Sequence, residues 1–519
     1  MDELVDPFGM ADCESELEEL KDEYKSLYFG QTPFNTAALN PRTYLIIGRR
    51  GAGKTALSHY FSFQHEIKNP LVIDVDEPKE YQKVLNQIAR RSTYSPELAV
   101  PNARDVWVYL IWCLIFENTK EASSEISKAC VPCEQLATYS HAGFLNRAID
   151  WLLGHFRAGT LESDEHLISD FLDADTFKHA QQAVLEFAKT RQVFIAVDTL
   201  EKYDVADTGL MNAIAGLVEA AAELNLKFSK QGVHTKVFVS GEIFPHLMEV
   251  SLQNPLKSVK HPVHMLWRAK DLLRLIAWRY HRFLRREKLL LPISQGPIDW
   301  DSPKDVLLKA WAPYFGKDVR NKRGEAEHTF SYVLRHTQMR PRQLIELCNS
   351  IAAKSIASGN FPLMSAKDIV EGINDGELKL ATEIINSYSR VHEGVADIVR
   401  ALNKMPMVFQ GSELDKRAPE SAPHWKAGGY SPSAFSQLVV ELGIVGKVVD
   451  RSDSGHVSAE FEYAQRATMR VTHRDECVMH PMFFGMLHPV PPDKPIMVMP
   501  FIVQNEEASW LNGGGAYAE

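Results

Sequence analysis

Residues 48–55 constrain this chain more than any other stretch, because they read G-R-R-G-A-G-K-T and follow the short apolar run 44–47. Glycines at such positions let the backbone curl so that several N–H groups point inward at phosphate oxygens. The lysine reaches the β- and γ-phosphates, and the threonine hydroxyl completes the shell of a Mg²⁺ ion. The sequence therefore predicts a phosphate-binding loop made of Gly48, Arg49, Arg50, Gly51, Ala52, Gly53, Lys54, Thr55 and Ala56.

The flanks of this loop support the same interpretation. Residues 44–47 predict a strand and residues 56–61 a helix, whose positive N-terminal end adds to the attraction for phosphate. A flexible glycine-rich turn is the alternative. It would have to account for the strand, the spacing, the Lys-Thr pair and the helix together.

A carboxylate at the end of a later strand predicts the metal side of the site. The run 193–198 has five apolar residues and ends in Asp198, which suits a residue that holds Mg²⁺ through water. An aspartate that caps a helix is the alternative. No acid follows Asp198 directly, since Thr199 stands there, so we expect Glu201 to position the attacking water, with Asp204 as a reserve.

Further strands are predicted at 71–75, 236–240 and 263–267. Ser240 and Glu242 come at the end of the 236–240 strand, where a polar side chain could sense the γ-phosphate or merely cap the next turn. Apolar spacing in 104–118, 144–156 and 176–188 predicts a large helical insertion. Strands alternating with helices predict an α/β nucleotide-binding domain with a parallel sheet over about 41–267.

Charge is distributed unevenly along the chain. Residues 1–24 hold ten Asp or Glu and one Lys, whereas residues 260–288 hold nine Lys or Arg against two acids. We expect the acidic leader to be mostly solvated, and the aromatic residues of 1–40 to pack near the nucleotide. The basic helix could contact nucleic acid, face solvent, or complement the leader. Arg274 and His281 also fit a loose R-x₆-H spacing of some ribonucleases, a pattern short enough to arise by chance.

Residues 300–385 are predicted to be helical, and Pro341 suits the start of a helix. Arg340 and Arg342 would then lie at its exposed first turn, where an arginine can reach a nucleotide phosphate across a cleft. Pairing with Asp or Glu at a domain joint is the alternative.

The pattern changes from about residue 392. Helices at 395–402 and 434–442, joined by a Gly/Pro-rich connection over 406–432, precede a β-ribbon at 443–449 and 459–463. This order predicts a winged-helix domain, and low positive charge on the second helix favours protein contact over DNA reading. The predicted segments are an N-terminal segment 1–40, a core 41–267, a helical lid 268–388, a winged-helix-like domain 389–489, and a partly disordered tail 490–519.

Composition indicates a soluble protein, and we expect a cytoplasmic one. The longest apolar run, 106–116, has 11 residues, which suits a buried helix better than a membrane span. Of the six cysteines only Cys130 and Cys133 have metal-like spacing, and a lone pair is half of a zinc site. Ordinary thiols in a reducing compartment are therefore favoured.

The chain resembles the STAND and KAP-type P-loop ATPases of the AAA+-like group, specifically bacterial members linked to anti-phage defence. The resemblance is carried by the opening D-P-F-G at 6–9, the 48–55 loop, D-T-L-E-K at 198–202, and R-P-R at 340–342, with L-G-I-V-G at 442–446 and H-P-M-F at 480–483 also similar. It implies ATP and Mg²⁺ as cofactors. The KAP-type pattern D-D-L-D-R lacks its second acid here, and Ser240 stands where such families often have an arginine, so hydrolysis is expected to be slow.

The leading functional hypothesis is an ATP-driven regulatory switch that controls a separate effector protein, acts as a homo-oligomer and has no membrane partner. One alternative is a nucleic-acid-engaging ATPase or loader that uses residues 260–288 and the winged helix. Another is a scaffold that oligomerises on ATP without hydrolysing it. The chain shows no ABC-type signature and no N-K-x-D for guanine, which favours ATP.

Overall fold

The computed structural model describes residues 6–75, 99–134, 172–198, 207–251, 259–320, 324, 326–389, 392–426, 428–452, 455–464 and 468–500. The chain divides into two compact units. One, here called the parallel-sheet unit, is Gly30–Met265. The other, the discontinuous unit, combines Met1–Phe29 with Leu266–Glu519.

The parallel-sheet unit is built on five parallel strands in the order β2-β3-β4-β1-β5. The predicted parallel sheet is therefore confirmed, and each predicted strand overlaps an observed one. The central strands β1, β3 and β4 are buried at every position except Asp198, as expected for a sheet covered on both faces. The strands are β1 Leu45–Gly48, β2 Leu71–Val75, β3 Val193–Asp198, β4 Val233–Ser240 and β5 Val263–His264.

Strand β4 begins three residues before its predicted start at 236, and it buries polar side chains, including those of His234 and Thr235. Lys236 is 0% exposed, and its Nζ donates to the carbonyl oxygens of Asn40 (2.8 Å) and Thr43 (2.6 Å). Burial lowers the pKa of the Lys236 ammonium to about 7. Two carbonyl acceptors thus satisfy the ammonium group of a lysine that is buried within the sheet.

Helices cover the sheet, and the predicted segments 104–118 and 176–188 are confirmed as helical. The predicted segment 144–156 lies outside the described residues. A long helix that the sequence analysis missed, Thr208–Phe228, packs so closely on Ala99–Thr119 that a Cβ on Gly216 would lie 2.6 Å from the Cβ of Ala103. The helical elements are Pro33–Leu39, Lys54–Phe63, Ala99–Thr119, Lys120–Ala122, Ser124–Glu134, Asp175–Ala188, Thr208–Phe228, Ser229–Gln231, Phe244–His246 and Leu247–Ser251.

The helical segment Ala99–Ala122 is long and apolar enough to cross a membrane by length and composition. It is, however, 67% buried inside the protein over its most apolar window. Trp107 lies within it, and its indole Nε1 donates to the carbonyl oxygen of Ala213 at 2.9 Å. The 106–116 run therefore belongs to a core helix, as its length predicts.

In the discontinuous unit, residues 6–29 pack against residues that follow 266. Phe8 is 0% exposed and stacks on Tyr280, with ring centroids 4.4 Å apart. Glu16 is 3% exposed and forms a very short ion pair with Arg279. The leader is thus not simply solvated: these contacts seat it within the discontinuous unit, and the basic helix complements it, one of the three alternatives above.

The remaining helices of this unit surround one large apolar core. They include the long pair Pro341–Ser358 and Ala366–Ser387, the second of which begins with a capping box at Ser365 and Asp368. The helical elements are Cys13–Leu20, Lys21–Glu23, Tyr24–Leu27, Ala269–Arg286, Pro292–Gln295, Pro303–Val306, Leu307–Trp311, Ala312–Phe315, Thr329–Leu334, Pro341–Ser358, Ala366–Ser387, Val395–Val399, Arg400–Leu402, Ser412–Ser421, Ala422–His424, Pro432–Glu441, Glu462–Ala464, Pro481–Phe483 and Phe484–Leu487.

The C-terminal part holds a five-stranded sheet rather than the two-stranded ribbon that was predicted. The predicted 406–432 connection in fact contains a strand and the helix Ser412–Ser421, and the predicted tail contributes a further strand. A two-stranded pair, β6 Asp318–Arg320 and β7 Ala326–His328, precedes this sheet in the chain. The strands of the five-stranded sheet are β8 Val408–Gln410, β9 Val445–Arg451, β10 His456–Glu460, β11 Glu476–Met479 and β12 Met497–Met499. Their order across the sheet is β12-β10-β9-β11-β8.

Candidate functional site

The 48–55 loop lies at the topological switch point of the parallel sheet. The chain leaves β1 for β2 on one side and leaves β4 for β5 on the other, although β1 and β4 are neighbours. Ligands of open α/β sheets bind outside the carboxyl ends of the strands at such a point. Gly48, the last residue of β1, is in register with Ser240, the last residue of β4.

The backbone of the loop requires its glycines. Gly51 and Gly53 have φ values of 76° and 93°, which side chains with a Cβ rarely adopt. Gly53 caps the helix Lys54–Phe63, so the first amides of that helix face the loop without a capping side chain. This arrangement presents main-chain donors and the positive end of a helix in one place, as anion binding requires.

Lys54 starts the helix and is only 5% exposed. Its stem runs against the end of β1, where a Cβ on Gly48 would lie 3.0 Å from the Cγ of Lys54 and 3.1 Å from the Sδ of Met265. Gly48 therefore leaves the space that the lysine stem uses. The structure thus supplies a reason for the glycine at each end of the loop.

Thr55 and Asp198 are 143 residues apart in sequence, yet the Thr55 hydroxyl donates to Asp198 Oδ2 at 2.9 Å. Asp198 ends β3, and β4 separates β3 from β1 in the sheet. A hydroxyl and a carboxylate are oxygen ligands of the kind that Mg²⁺ takes. The structure therefore brings together the two residues predicted to hold the metal.

Ser240 and Glu242 also meet the loop. The main-chain N–H of Arg50 donates to Glu242 at 3.1 Å (Oε1) and 3.3 Å (Oε2), and the Ser240 hydroxyl donates to Glu242 Oε2 at 2.5 Å. Sequence reasoning selected both side chains as candidates but did not anticipate that one would hydrogen-bond to the loop itself.

The other predicted residues of the loop have structural positions consistent with a tight turn. The Ala52 amide donates to the Arg49 carbonyl at 3.0 Å, and Ala52 is buried. Ala56 lies in the first turn of the helix. Glu201 and Asp204 lie outside the described residues, so their role in positioning water stays a prediction.

Arg340 and Arg342 belong to the discontinuous unit. Pro341 begins the helix Pro341–Ser358, as predicted, but Arg340 is only 9% exposed, so it does not lie at an exposed first turn. Arg342 is half-buried and its Nη2 lies 3.4 Å from Glu383 Oε1. The contact to Glu383 is the kind of pairing that the alternative interpretation expects, and a role toward nucleotide stays a prediction for both arginines.

The basic helix Ala269–Arg286 uses several of its cations internally. Arg274 Nη2 lies 2.6 Å from Asp301, and Arg279 Nε donates to the Phe8 carbonyl at 2.6 Å. His281 Nε2 lies 3.2 Å from the Ser294 carbonyl, and burial lowers the pKa of its imidazole. Arg274 and His281 thus each make a contact within the discontinuous unit.

A buried polar network in the discontinuous unit was missed by sequence reasoning. Arg335 donates from two nitrogens to Glu327 at 2.8 and 2.9 Å, and both side chains are buried. His336 Nδ1 lies 2.9 Å from Glu377, and burial lowers the pKa of His336. His480 Nε2 lies 2.9 Å from the Tyr463 hydroxyl. No local sequence pattern marks these residues, because their partners are distant in the chain.

Cys130 and Cys133 lie on the helix Ser124–Glu134. Within the described part of the chain, no cluster of three or more His, Cys, Asp or Glu residues could hold a metal ion. Free thiols among the described residues include Cys13, Cys113, Cys348 and Cys477.

Comparison with known proteins gives one partial match. Residues 309–375 match the family described as the FunZ-associated C-terminal helical domain. The matched stretch contains the Glu327–Arg335 pair, the helix Pro341–Ser358 and the first part of the helix Ala366–Ser387. No curated protein matches the chain. The match is thus a similarity over one helical segment of the discontinuous unit.

Proposed function

We propose that the parallel-sheet unit is a P-loop domain that binds ATP with Mg²⁺, and that the chain is a regulatory switch that hydrolyses ATP slowly and controls a partner effector. The observation that carries the proposal is the contact of Thr55 with Asp198 beside the 48–55 loop. It places a hydroxyl and a carboxylate next to a loop of main-chain donors and a buried lysine. These are the groups that a nucleotide triphosphate and its metal need.

Slow turnover follows from the residues around Asp198. Thr199 follows it where an acid would activate water, and the Ser240 hydroxyl is engaged with Glu242. A site that binds the metal and phosphates but has a threonine directly after its metal-holding acid favours occupancy over turnover. ATP would then act as a ligand that shifts a conformational equilibrium, which requires contacts that differ between two states.

The regulatory part of the proposal rests on the resemblance to STAND and KAP-type ATPases, which also supports a role in a bacterial defence or signalling assembly. The match to a FunZ-associated helical domain supports a helical module that accompanies the nucleotide unit. We propose that this module passes the nucleotide state to the partner, together with a winged-helix-like arrangement of the C-terminal helices and sheet.

Substitution of Lys54 tests the proposal. Lys54→Ala removes the ammonium from the loop, and we expect ATP affinity in the presence of Mg²⁺ to fall by about a hundredfold or more in isothermal titration calorimetry. Thr55→Val should weaken binding only when Mg²⁺ is present, because it removes the metal-binding hydroxyl.

The matched control is Lys68→Ala, since Lys68 is an exposed lysine of the same unit. It should bind ATP as the unchanged protein does. Unaltered ATP binding by Lys54→Ala would overturn the assignment of the loop.

A further inference from the structure

The turn after β4 is attached to the 48–55 loop by main-chain contacts. The Gly241 amide donates to the Gly48 carbonyl at 3.1 Å, which continues the pairing of β1 with β4. A Cβ on Gly241 would lie 2.9 Å from the Cγ of Arg49 and 3.3 Å from its main-chain nitrogen. A side chain at position 241 would therefore require the Arg49 side chain to shift, and this close approach brings the next residue, Glu242, onto the loop.

The Glu242 carboxylate accepts the main-chain N–H of Arg50 with both of its oxygens within 3.3 Å. Ser240 makes two further hydrogen bonds with Glu242. Its hydroxyl donates to Oε2 of the carboxylate, and its Oγ accepts the Glu242 amide at 3.4 Å. The carboxylate is therefore fixed by contacts on both sides. It is an anion bound to an amide of a loop whose other amides are suited to bind phosphate.

A carboxylate and a phosphate compete for such a donor, since both are anionic oxygen acceptors. The amides next to the helix cradle the α- and β-phosphates of a bound nucleotide. Arg50 lies instead on the strand side of the loop, beside the end of β4, where its N–H would be a donor for the terminal phosphate. A carboxylate and a phosphate that approach the same N–H donor repel each other strongly where water is partly excluded.

We propose that Glu242 is an internal competitor of the terminal phosphate: its carboxylate and that phosphate exclude each other at the Arg50 amide, so Glu242 selects against the triphosphate relative to the diphosphate. This inference rests on the proposed function, because it needs a nucleotide in the loop. Binding of ATP requires Glu242 to leave the amide, whereas ADP leaves the contact in place. The turn over 241–243 thereby takes two positions that depend on the terminal phosphate.

The test compares the affinities for ATP and ADP, each with Mg²⁺, in the full chain carrying Glu242→Gln. Glutamine keeps the size and one oxygen acceptor but removes the charge. We expect ATP to bind about tenfold more tightly than to the unchanged protein, and ADP affinity to stay within about twofold. Glu66→Gln, an exposed glutamate of the same unit, is the charge-matched control and should change neither affinity.

A second variant, Ser240→Ala, keeps the carboxylate but removes the hydroxyl that holds it, so it should shift the ATP-to-ADP preference in the same direction by a smaller factor. It supplies the test should Glu242→Gln fail to fold. Equal changes for both nucleotides, or no change for either, would overturn the role of Glu242. Failure of the unchanged protein to bind either nucleotide would instead refute the proposed function.

Discussion

Carboxylates do different work in the two units. In the parallel-sheet unit, Asp198 and Glu242 accept hydrogen bonds from a hydroxyl and a main-chain N–H of one short loop. In the discontinuous unit, Glu16 and Glu327 accept from arginine side chains, and all four partners are buried. In the parallel-sheet unit, these hydrogen bonds lie beside a loop where a ligand can replace one of the two partners. In the discontinuous unit, the ion pairs satisfy charges that water cannot reach.

This difference means that replacing one of these carboxylates or its partner should affect binding in the parallel-sheet unit and folding in the discontinuous unit. Removing one partner of a buried pair leaves an uncompensated charge, which is costly whatever the pair itself contributes. Removing a charge beside a ligand-binding loop alters which ligand is preferred.

The largest effect is expected for Arg335→Met, which leaves the Glu327 carboxylate buried without its bidentate partner. The free energy of unfolding should fall by about 3–5 kcal/mol. Chemical unfolding combined with hydrogen exchange of the helix Thr329–Leu334 measures it. The double variant with Glu327→Gln should recover part of the loss, and Arg320→Met, at an exposed position, should cost little. A loss below about 1 kcal/mol would show that the Arg335–Glu327 pair contributes no more to stability than a solvent-exposed ion pair.

A smaller, pH-dependent effect is expected from Lys236 in the parallel-sheet unit. Its pKa falls from 10.5 to about 7 on folding, so between these values the unfolded chain binds more protons than the folded one. Stability should therefore rise as pH increases through this window, by at most about 1.4 kcal/mol per pH unit from this group. The neutral amine keeps two N–H donors for the carbonyls of Asn40 and Thr43.

Lys236→Met should flatten that rise, as measured by chemical unfolding at pH 7 and pH 9. Lys230→Met, which changes an exposed lysine of the same unit, should keep it. An identical pH dependence in Lys236→Met and the unchanged protein would mean that Lys236 titrates as an ordinary lysine. It would also show that a buried charge in the parallel-sheet unit need not carry a folding cost.

The smallest effect is expected at the exposed end of the basic helix. The paired change Arg285→Gln and Arg286→Gln should alter the free energy of unfolding by less than about 0.5 kcal/mol, since both side chains face solvent. The same variant tests the nucleic-acid alternative. Binding of DNA at low salt by the unchanged protein, with a salt dependence that the variant reduces, would favour that alternative over the proposed switch.

Much of the parallel-sheet unit could be predicted from the sequence, because its signals are local. Apolar runs located the five strands, and the glycines and Lys-Thr pair located the loop. The meeting of Thr55 with Asp198 followed from placing the 48–55 loop and Asp198 at the carboxyl ends of strands in one parallel sheet. The direction of the Glu242 side chain did not follow, because it depends on how closely the Gly241 turn approaches the loop.

The discontinuous unit was harder to predict, because its signals are contacts between distant residues. The helix Ser412–Ser421 contains Pro419 and few apolar residues, so it resembles a connection by composition. Acidic residues at 1–24 look solvated until Arg279 is found beside Glu16. The same holds for the buried histidines, whose partners lie 17 and 41 residues away.

The position of the N-terminal segment in the discontinuous unit has a consequence for the order in which the two units can fold. Two hydrogen bonds join the N-terminal segment to Asn349. The Phe8 amide donates to Asn349 Oδ1 at 3.1 Å, and Asn349 Nδ2 donates to the Gly9 carbonyl at 2.9 Å. During translation, residues 6–29 leave the ribosome long before this partner, because Asn349 is made 341 residues after Phe8. The parallel-sheet unit, encoded in between without interruption, can form first. A gene fragment that starts at codon 266 would lack a piece of its own core.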